Sequence, residues 1–355
     1  MPGSPEAASG PPFITRWDLD KTYLRTEFDT MGDLVRTAFE RPDQKRAVPG
    51  AATLLHLLGE TGARVHILSG SPRQLRSRLE EKLRIDLVRW DELTLKPNLS
   101  NLLRLRLRAV RDQLGYKLPV LLEARSRDER LFGGNAPEEV LVGDDAEADA
   151  FVYSLYADAC EGTVGEAELA EILRRGRVYE DQVEGCVAAF RRIHAGRAVA
   201  RILIHLDRQS PPSTFDVYGP RVVPFYNYLQ AAFVLAEDGR ISGSAVLEVA
   251  SVLVVRHRFD GEGLGRSYLD LMRRGHASGA VLAELEASLA DFPTETQESG
   301  AALSEMTRLI AGYLKEPPRV RPVRPAKPDY FELAERHQGG KNRKNFRSVT
   351  RQWDQ

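Results

Sequence analysis

Two carboxylates, Asp18 and Asp20, stand at the end of the apolar stretch 13–17. Such a stretch predicts a buried strand, and a strand places residues i and i+2 on the same side. The turn that follows a strand can nevertheless re-aim the second carboxylate. Two carboxylates that face one phosphate can serve as a nucleophile and as its proton-transfer partner. The same pattern also begins ordinary solvated loops, so its meaning depends on the rest of the chain.

A second segment, residues 65–72, is an apolar run that ends in small hydroxyl residues and precedes a predicted helix over 73–83. Ser69 and Gly70 at the end of this run would offer a hydroxyl and backbone N–H groups to a phosphate oxygen. The structural alternative is a strand-to-helix turn in which Ser71 caps the helix. The two interpretations are compatible, because one turn can perform both tasks.

Two later segments add a cation and further carboxylates. Lys117 would neutralise a carboxylate nucleophile and a transferring phosphoryl group, although most lysines are solvated surface residues. Residues 139–149 combine a buried-strand pattern with a glycine and then a cluster of carboxylates that includes Asp144. Asp149 lies one helical turn beyond Asp145, so it can face the same site. Carboxylates and water are the ligands that Mg²⁺ prefers.

In this order the four segments resemble the haloacid dehalogenase superfamily, whose phosphatases carry DxDxT, a strand-terminal Ser or Thr, a Lys, and an acidic GDxxxD or DD motif. More narrowly, residues 17–159 resemble the catalytic domain of the actin-patch type phosphatidate phosphatases, relatives of the lipins. The residues that carry the resemblance are Asp18-Leu19-Asp20-Lys21-Thr22, Arg46-Ala47-Val48-Pro49-Gly50, Leu68-Ser69-Gly70-Ser71-Pro72-Arg73-Gln74-Leu75, Arg89-Trp90, Tyr116-Lys117-Leu118 and Leu141-Val142-Gly143-Asp144-Asp145-Ala146-Glu147-Ala148-Asp149. Nothing after Cys160 resembles a family.

The resemblance implies an aspartyl-phosphate mechanism. Asp18 would be the nucleophile, and Asp20 would protonate the leaving alkoxide and then activate the hydrolytic water. Mg²⁺ would be bound by the Asp18 carboxylate, the Asp20 backbone carbonyl and Asp144. The other implied roles are phosphate binding, by Thr22, Ser69, Gly70 and Lys117, and contact with the ion through water, by Asp145 and Asp149.

The substrate implied is a phosphomonoester, either a phosphorylated small molecule or a lipid phosphate similar to phosphatidate. Two departures from the family pattern bear on it: Lys21 stands where many members have an acidic or small residue, and Asp145-Ala146 replaces a small pair. The alternatives are a phosphotransferase or polynucleotide phosphatase of the same superfamily, and a non-catalytic scaffold that binds lipid or a partner. The presence of both motif aspartates, the lysine and the acidic motif favours an enzyme over the scaffold.

The elements that must position these residues alternate along the chain. The predicted strands are 13–17, 65–68 and 139–142, with 87–90 as a further strand, and the predicted helices between them are 51–60, 73–83 and 117–124. This alternation predicts an α/β fold, a Rossmann-like parallel sheet with flanking helices and the site at the carboxyl ends of the strands. The segment between Leu24 and Pro49 is too short for a large cap, so a short helix at 32–39 and an open site are expected. The basic stretch 101–111 predicts an amphipathic helix with a solvated face.

The rest of the chain divides by composition. Residues 1–12 predict a flexible lead-in, 13–160 the phosphatase-like domain, and 161–315 an appended, mostly α-helical domain in which 200–206 is either strand or helix. Residues 316–355 predict a partly disordered tail rich in proline and basic residues, with a weak contact to an anionic surface as one use of its charge.

Length and charge agree with a protein of more than one domain. The chain has 355 residues and a formal net charge of −1, so no global field attracts it to nucleic acid or to an anionic membrane. Its two cysteines, Cys160 and Cys186, have no metal-type spacing and favour a reducing compartment. No signal peptide and no apolar run of about 20 residues is present, so a cytoplasmic protein without a transmembrane segment is expected. The sequence leaves the oligomeric state open.

Overall fold

The computed structural model describes residues 12–24, 47–96, 110–324 and 327–336. The predicted helix at 32–39 lies outside these residues, and so do most of the basic stretch 101–111 and the last part of the tail, 337–355. No helix in the described part of the chain is both long enough and apolar enough to cross a membrane.

A six-stranded sheet in the order β3-β2-β1-β4-β5-β6 forms the centre of the molecule, and all neighbouring strands are parallel. The strands are β1 (Phe13–Asp18), β2 (Arg64–Pro72), β3 (Glu92–Lys96), β4 (Glu138–Asp144), β5 (Val199–His205) and β6 (Val222–Phe225). Parallel strands need crossover connections, which put helices against the sheet and bury the strands between them. The predicted α/β class with a parallel sheet and flanking helices is confirmed.

The helices in the described residues lie mainly between and after these strands. They are α1 (Ala51–Glu60), α2 (Arg76–Ile85), α3 (Val110–Leu131), α4 (Asp149–Cys160), α5 (Glu166–Arg175), α6 (Glu180–Phe190), α7 (Tyr228–Glu237), α8 (Gly243–His257), α9 (Gly261–Arg274), α10 (Leu282–Asp291), α11 (Gln297–Lys315) and a short α12 at 330–336. The predicted helix at 51–60 is confirmed. The one at 117–124 is the middle of the longer α3, which contains Pro119.

The strand predicted at 87–90 is wrong, because the chain there still completes the end of α2. Leu87 has a φ of 58°, in the left-handed region, and the Val88 N–H donates to the Leu83 carbonyl. A left-handed residue that follows a helix is a common way to end it. The strand forms directly afterwards, as β3, whose residues pair with β2 from His66 onward.

The range 161–315, predicted as an appended helical domain, contributes β5 and β6 to the same sheet. The undecided segment 200–206 is therefore almost entirely strand. One hydrophobic cluster contains residues from Phe13 to Ile310, so apolar packing also crosses the boundary predicted at 160. Within the sheet, β5 pairs on one side with β4, which lies far from it along the chain. Local periodicity carries no information about such long-range pairing.

Part of the predicted tail is docked on the fold. In the short helix α12, Tyr330 is 2% exposed, and its hydroxyl donates to Asp158 of α4 over 2.6 Å. Leu333 and Ala334 are buried in the same hydrophobic cluster as α4 and α5. Their spacing of three and four residues from Tyr330 places all three side chains on one face of the helix. Because the composition around them is proline-rich, the sequence predicted a partly disordered tail and did not indicate this apolar face.

Candidate active site

Asp18 and Lys117 form the centre of the site. Asp18 is the last residue of β1, and it is 1% exposed. Lys117 reaches it from α3 and places Nζ 2.8 Å from Asp18 Oδ1. The same Nζ lies 2.9 Å from Glu147 Oε2 and 2.5 Å from Asp149 Oδ1. A fully buried lysine needs such partners, and here three carboxylates share one ammonium group.

Asp144 brings a further carboxylate from the end of β4, the neighbour of β1. The Thr22 hydroxyl lies between the two strand ends, 3.5 Å from Asp18 Oδ2 and 3.3 Å from Asp144 Oδ2. The other oxygen of Asp144 accepts hydrogen bonds from the backbone N–H groups of Ala146 and Glu147. Because Trp17 pairs with Val142, the two aspartates stand at the same ends of neighbouring strands, and Oδ2 of each faces the Thr22 hydroxyl.

Asp149 fixes the turn between β4 and α4. Its Oδ1 contacts Lys117, and its Oδ2 accepts the Asp144 N–H over 3.1 Å. This contact requires glycine at position 143, because a Cβ added there would lie 2.6 Å from the Asp149 Cβ. Both carboxylate oxygens of Asp149 are therefore used in orienting Lys117 and the chain around Asp144.

Asp20 lies in the turn after β1 and faces the end of β2. Its Oδ2 accepts hydrogen bonds from the hydroxyls of Ser69, over 3.0 Å, and Ser71, over 3.3 Å. Gly70 is half-buried, and apart from its two chain neighbours no described residue has an atom within 4 Å of the place where a Cβ would stand. Asp20 is also half-buried, whereas Asp18 and Asp144 are buried. The side of Asp20 and Gly70 is thus the more exposed side of the site.

Residues outside the predicted set hold the turn that carries Asp20. The Tyr228 hydroxyl of α7 donates to the Thr22 carbonyl over 2.5 Å, and its ring stacks on Trp17 at 5.6 Å. His205, at the end of β5, places Nδ1 3.3 Å from the Lys21 carbonyl. No motif in the sequence indicates these two contacts. Glu147, by contrast, stands inside the acidic motif, and its contact with Lys117 could have been considered from the sequence.

A buried ion network joins the three elements that carry Asp18, Asp144 and Lys117. Arg16 of β1 donates from Nε to Glu139 of β4 over 2.7 Å and from Nη2 to Asp128 of α3 over 2.6 Å. Arg16 Nη1 lies 2.6 Å from His66 Nδ1. Burial, with the positive charge of Arg16, lowers the pKa of His66 to about 4, so this ring is neutral near pH 7 and can accept from Arg16.

Negative charge dominates the centre of the site. Burial raises the pKa of Asp18 well above its ordinary value, with Lys117 opposing the rise and the other carboxylates adding to it. Burial, followed by the charges of Asp149 and Glu147, raises the pKa of Asp144 in the same way. Burial opposes the charge of Lys117, yet the surrounding carboxylates hold its pKa well above the ordinary value. One ammonium group cannot balance this set of carboxylates, so the site favours an additional cation.

Three buried carboxylates of the site could hold a metal ion. Asp18, Asp144 and Asp149 each offer a carboxylate oxygen, and these oxygens lie within 4.8 Å of one another. Both oxygens of Asp149 already have protein donors, whereas within the described residues Oδ2 of Asp18 and Oδ2 of Asp144 share only the long contacts with Thr22. Mg²⁺ takes one or two protein carboxylates and keeps several waters, so these two atoms suit it.

Asp145 does not join the carboxylate cluster, although the resemblance implied that it lies near the ion. Its Oδ1 accepts the Arg208 N–H over 2.7 Å, and its Oδ2 accepts the Ser210 N–H over 3.0 Å. It therefore closes the turn after β5. The strand β4 ends at Asp144 and a turn begins at Asp145, and the two adjacent carboxylates contact different parts of the molecule.

These positions predict that neighbouring Asp→Asn variants differ in their response to Mg²⁺. Asp144→Asn is expected to abolish the increase in melting temperature that Mg²⁺ causes, because one of the two available carboxylates is lost. Asp145→Asn is expected to keep that increase and to lower the free energy of unfolding by about 1 kcal/mol through weaker bonds to the turn. Thermal and urea unfolding with and without Mg²⁺ measure both effects. Loss of the Mg²⁺ response in Asp145→Asn would contradict this assignment.

Comparisons with protein-family models, with curated proteins and with solved structures found no match. The function is therefore inferred from the geometry of the site. The residues that the structure brings together from the predicted set are Asp18, Asp20, Thr22, Ser69, Gly70, Lys117, Asp144 and Asp149. Asp145 is the predicted residue that it places elsewhere.

Proposed function

We propose that this chain is a Mg²⁺-dependent phosphomonoester hydrolase of the haloacid dehalogenase type that forms an aspartyl-phosphate on Asp18. The observation that carries the proposal is the buried contact between Lys117 and Asp18, at 2.8 Å, beside Asp144 at the neighbouring strand end. Phosphoryl transfer needs positioned groups and charge compensation more than covalent chemistry. An ammonium group next to a strand-end carboxylate supplies such compensation for both the nucleophile and the phosphoryl group.

The arrangement of the strands supports the same type of fold. β1, which ends in Asp18, lies inside the sheet, and its two neighbours carry Ser69 and Asp144 at the same edge. Ligands of open parallel sheets bind at this carboxyl edge. The meeting of the four sequence segments at one edge of the sheet supports the proposal.

In the first step, an oxygen of Asp18 attacks the phosphorus while the bond from phosphorus to the leaving oxygen breaks. The leaving alkoxide takes a proton from Asp20. In the second step, Asp20 accepts a proton from a water molecule whose oxygen attacks the phosphorus, and the bond to Asp18 breaks. Inorganic phosphate is released and both aspartates return to their starting states. The hydroxyls of Ser69 and Ser71 hold the Asp20 carboxylate throughout.

The remaining residues orient the reactants and balance charge. Mg²⁺, held by the carboxylates of Asp18 and Asp144 and the backbone carbonyl of Asp20, would supply charge neutralisation at the phosphoryl oxygens. Lys117 holds the Asp18 carboxylate in place, and Asp149 orients Lys117. Because Gly70 has no side chain, there is open space beside Asp20, and the Gly70 backbone can approach the phosphoryl group.

A reducing, cytoplasmic environment is proposed as the place of this activity. Cys160 and Cys186 are both free thiols, and both are buried. Burial raises the pKa of the Cys186 thiol to about 12, and the Cys160 thiol is shifted in the same direction. The thiol form, which is the less reactive form, thus predominates at both positions.

The proposal is tested by phosphate release from acetyl phosphate, an aryl phosphate, sugar phosphates, nucleotides, phosphatidate and lysophosphatidate. Release is expected with Mg²⁺ and is expected to fall to background with EDTA, because the carboxylates of the site then lack their counter-ion. Addition of Mg²⁺ in excess over EDTA should restore it. A folded protein that binds Mg²⁺ but releases phosphate from none of these compounds would contradict the proposal and favour the scaffold alternative.

A further inference from the structure

A cavity of about 770 Å³ lies beside the site, between the edge strand β3 and the helix α3. Its volume is within the range of small-molecule sites. The residues that line it are Arg73, Arg76, Glu92, Leu93, Thr94, Leu95, Gly115, Tyr116, Pro119, Val120, Glu123 and Arg127. None of the residues assigned to the proposed chemistry is among them, so the cavity is available for another part of a ligand.

Tyr116 connects the cavity with the site. It lines the cavity, and its hydroxyl donates to the Ser69 carbonyl over 3.0 Å. Leu95 of β3 pairs with Ser69 in the sheet, so the end of the cavity near Leu95 lies at the level of the strand end that faces Asp20. Lys117 directly follows Tyr116 along α3. A molecule that extends from the site past Tyr116 would therefore enter the cavity.

The lining of the cavity combines apolar and charged side chains. The cavity extends along α3 from Gly115 to Arg127, about 18 Å at 1.5 Å per residue. Leu93 and Leu95 are 5% and 3% exposed and belong to the hydrophobic core, so their side chains offer little surface to it. Charged and hydroxyl groups make up much of the remaining wall. An acyl chain here would cover the guanidinium of Arg73 without giving it a hydrogen-bond partner, which is costly.

Arg73 is the cation of the cavity that is available to a ligand. Arg76 contacts Glu80 and donates to the Leu93 carbonyl, and Arg127 contacts Glu92. Arg73 is exposed and has no ion pair with any residue in the described ranges. It directly follows the last residue of β2, so it lines the cavity at the end nearest the site. An unpaired guanidinium there suits an anionic group, which it can bind through two parallel hydrogen bonds.

We infer that this cavity holds the leaving group of the phosphomonoester, and that the preferred leaving group is polar and carries a second anionic group recognised by Arg73. The inference rests on the proposed function, since the leaving group is defined by the bond that breaks at Asp18. It assigns the substrate to water-soluble bisphosphates or phosphorylated acids rather than to lipid phosphates.

The test compares kcat/KM for fructose 1,6-bisphosphate and fructose 6-phosphate in the full chain with Mg²⁺. Arg73→Gln is expected to lower the preference for the bisphosphate about tenfold, because one charge-assisted interaction is lost. Val120→Trp, which fills the cavity, is expected to lower kcat/KM for both sugar phosphates about tenfold relative to that for acetyl phosphate, whose leaving group is small. Arg89→Gln is the matched control, because Arg89 is exposed and does not line the cavity.

Three results would overturn the inference. The first is that the chain hydrolyses acetyl phosphate but Arg73→Gln leaves the preference for the bisphosphate unchanged. In that case the proposed hydrolase activity stands and the inference about the cavity fails. The second is a higher kcat/KM for lysophosphatidate than for the bisphosphate. The third concerns a chain that does not hydrolyse even acetyl phosphate, so that the proposed function itself has failed: absence of fructose 1,6-bisphosphate binding in a calorimetric titration then overturns the inference. Binding of the bisphosphate that Arg73→Gln weakens would instead support an anion site in the cavity.

Discussion

Asp18→Asn is expected to lower phosphate release by at least about 1,000-fold, because asparagine lacks the carboxylate that forms the phosphoenzyme bond. The amide keeps the size of the side chain and can still accept a hydrogen bond from Lys117. Lys117 also retains two other carboxylate partners, Glu147 and Asp149. The loss should therefore appear in kcat, measured with acetyl phosphate at saturating Mg²⁺, and not in the fold.

Stability provides an independent readout for the same variant. Burial raises the pKa of Asp18, which means that its ionised form destabilises the folded protein near pH 7 when no metal is bound. Asp18→Asn is thus expected to melt at the same temperature as the wild type, or higher, in EDTA, and to gain less from Mg²⁺. Asp181→Asn serves as the control, since Asp181 is exposed at the start of α6. Full activity in Asp18→Asn would show that another residue is the nucleophile.

Lys117→Met is expected to lower the free energy of unfolding by about 3–5 kcal/mol, because it leaves buried carboxylates without their cation. Lys117 contacts Asp18, Glu147 and Asp149, and it is fully buried. Methionine fills similar space, so the change measures the lost charge more than a cavity. Urea unfolding measures the effect in EDTA. Phosphate release should fall as well, since the Asp18 carboxylate loses the group that holds it in place.

Lys82→Met is the matched control for this loss. Lys82 is 6% exposed and pairs with a single carboxylate, that of Asp86, the residue directly after α2. Its replacement should cost less than that of Lys117, because only one carboxylate loses its cation and Asp86 keeps the hydrogen bond from the Tyr23 hydroxyl. The double variant Lys117→Met/Asp149→Asn should recover part of the stability, because one of the unpaired carboxylates is then neutral. Equal stability of Lys117→Met and the wild type would contradict the view that Lys117 carries the charge balance of the site.

The site shows where sequence reasoning succeeds and where it stops. The order of the four segments placed Asp18 and Asp144 correctly at strand ends, and Ser69 lies three residues before the end of β2, because buried parallel strands are continuous apolar runs and polar residues mark where they finish. Asp145 could not be distinguished from Asp144 in this way. Both are acidic, and only the path of the turn sends one carboxylate to the site and the other to the backbone at Arg208.

The fold also contains some elements that the sequence predicted and others that it did not. Local patterns identified β1, β2, β4 and the helix at 51–60, since amphipathic and buried periods are properties of short windows. They did not assign β5 and β6 to the sheet, and they placed a strand at 87–90 where the chain ends a helix. Strand pairing across the sheet depends on contacts between distant parts of the chain, and the composition of a single segment does not report them.

By itself, the sequence determined the α/β class, the residue types of the site and the strand ends on which they stand. Only the tertiary structure decided that Lys117 contacts Asp18, that Asp149 orients Lys117 through the space left by Gly143, and that Tyr228 and His205 hold the Asp20 turn. The physical reason is the separation along the chain over which each effect acts. Propensity, periodicity and capping act over a few neighbouring residues, whereas the charge balance of a buried site depends on side chains that folding brings together from distant segments.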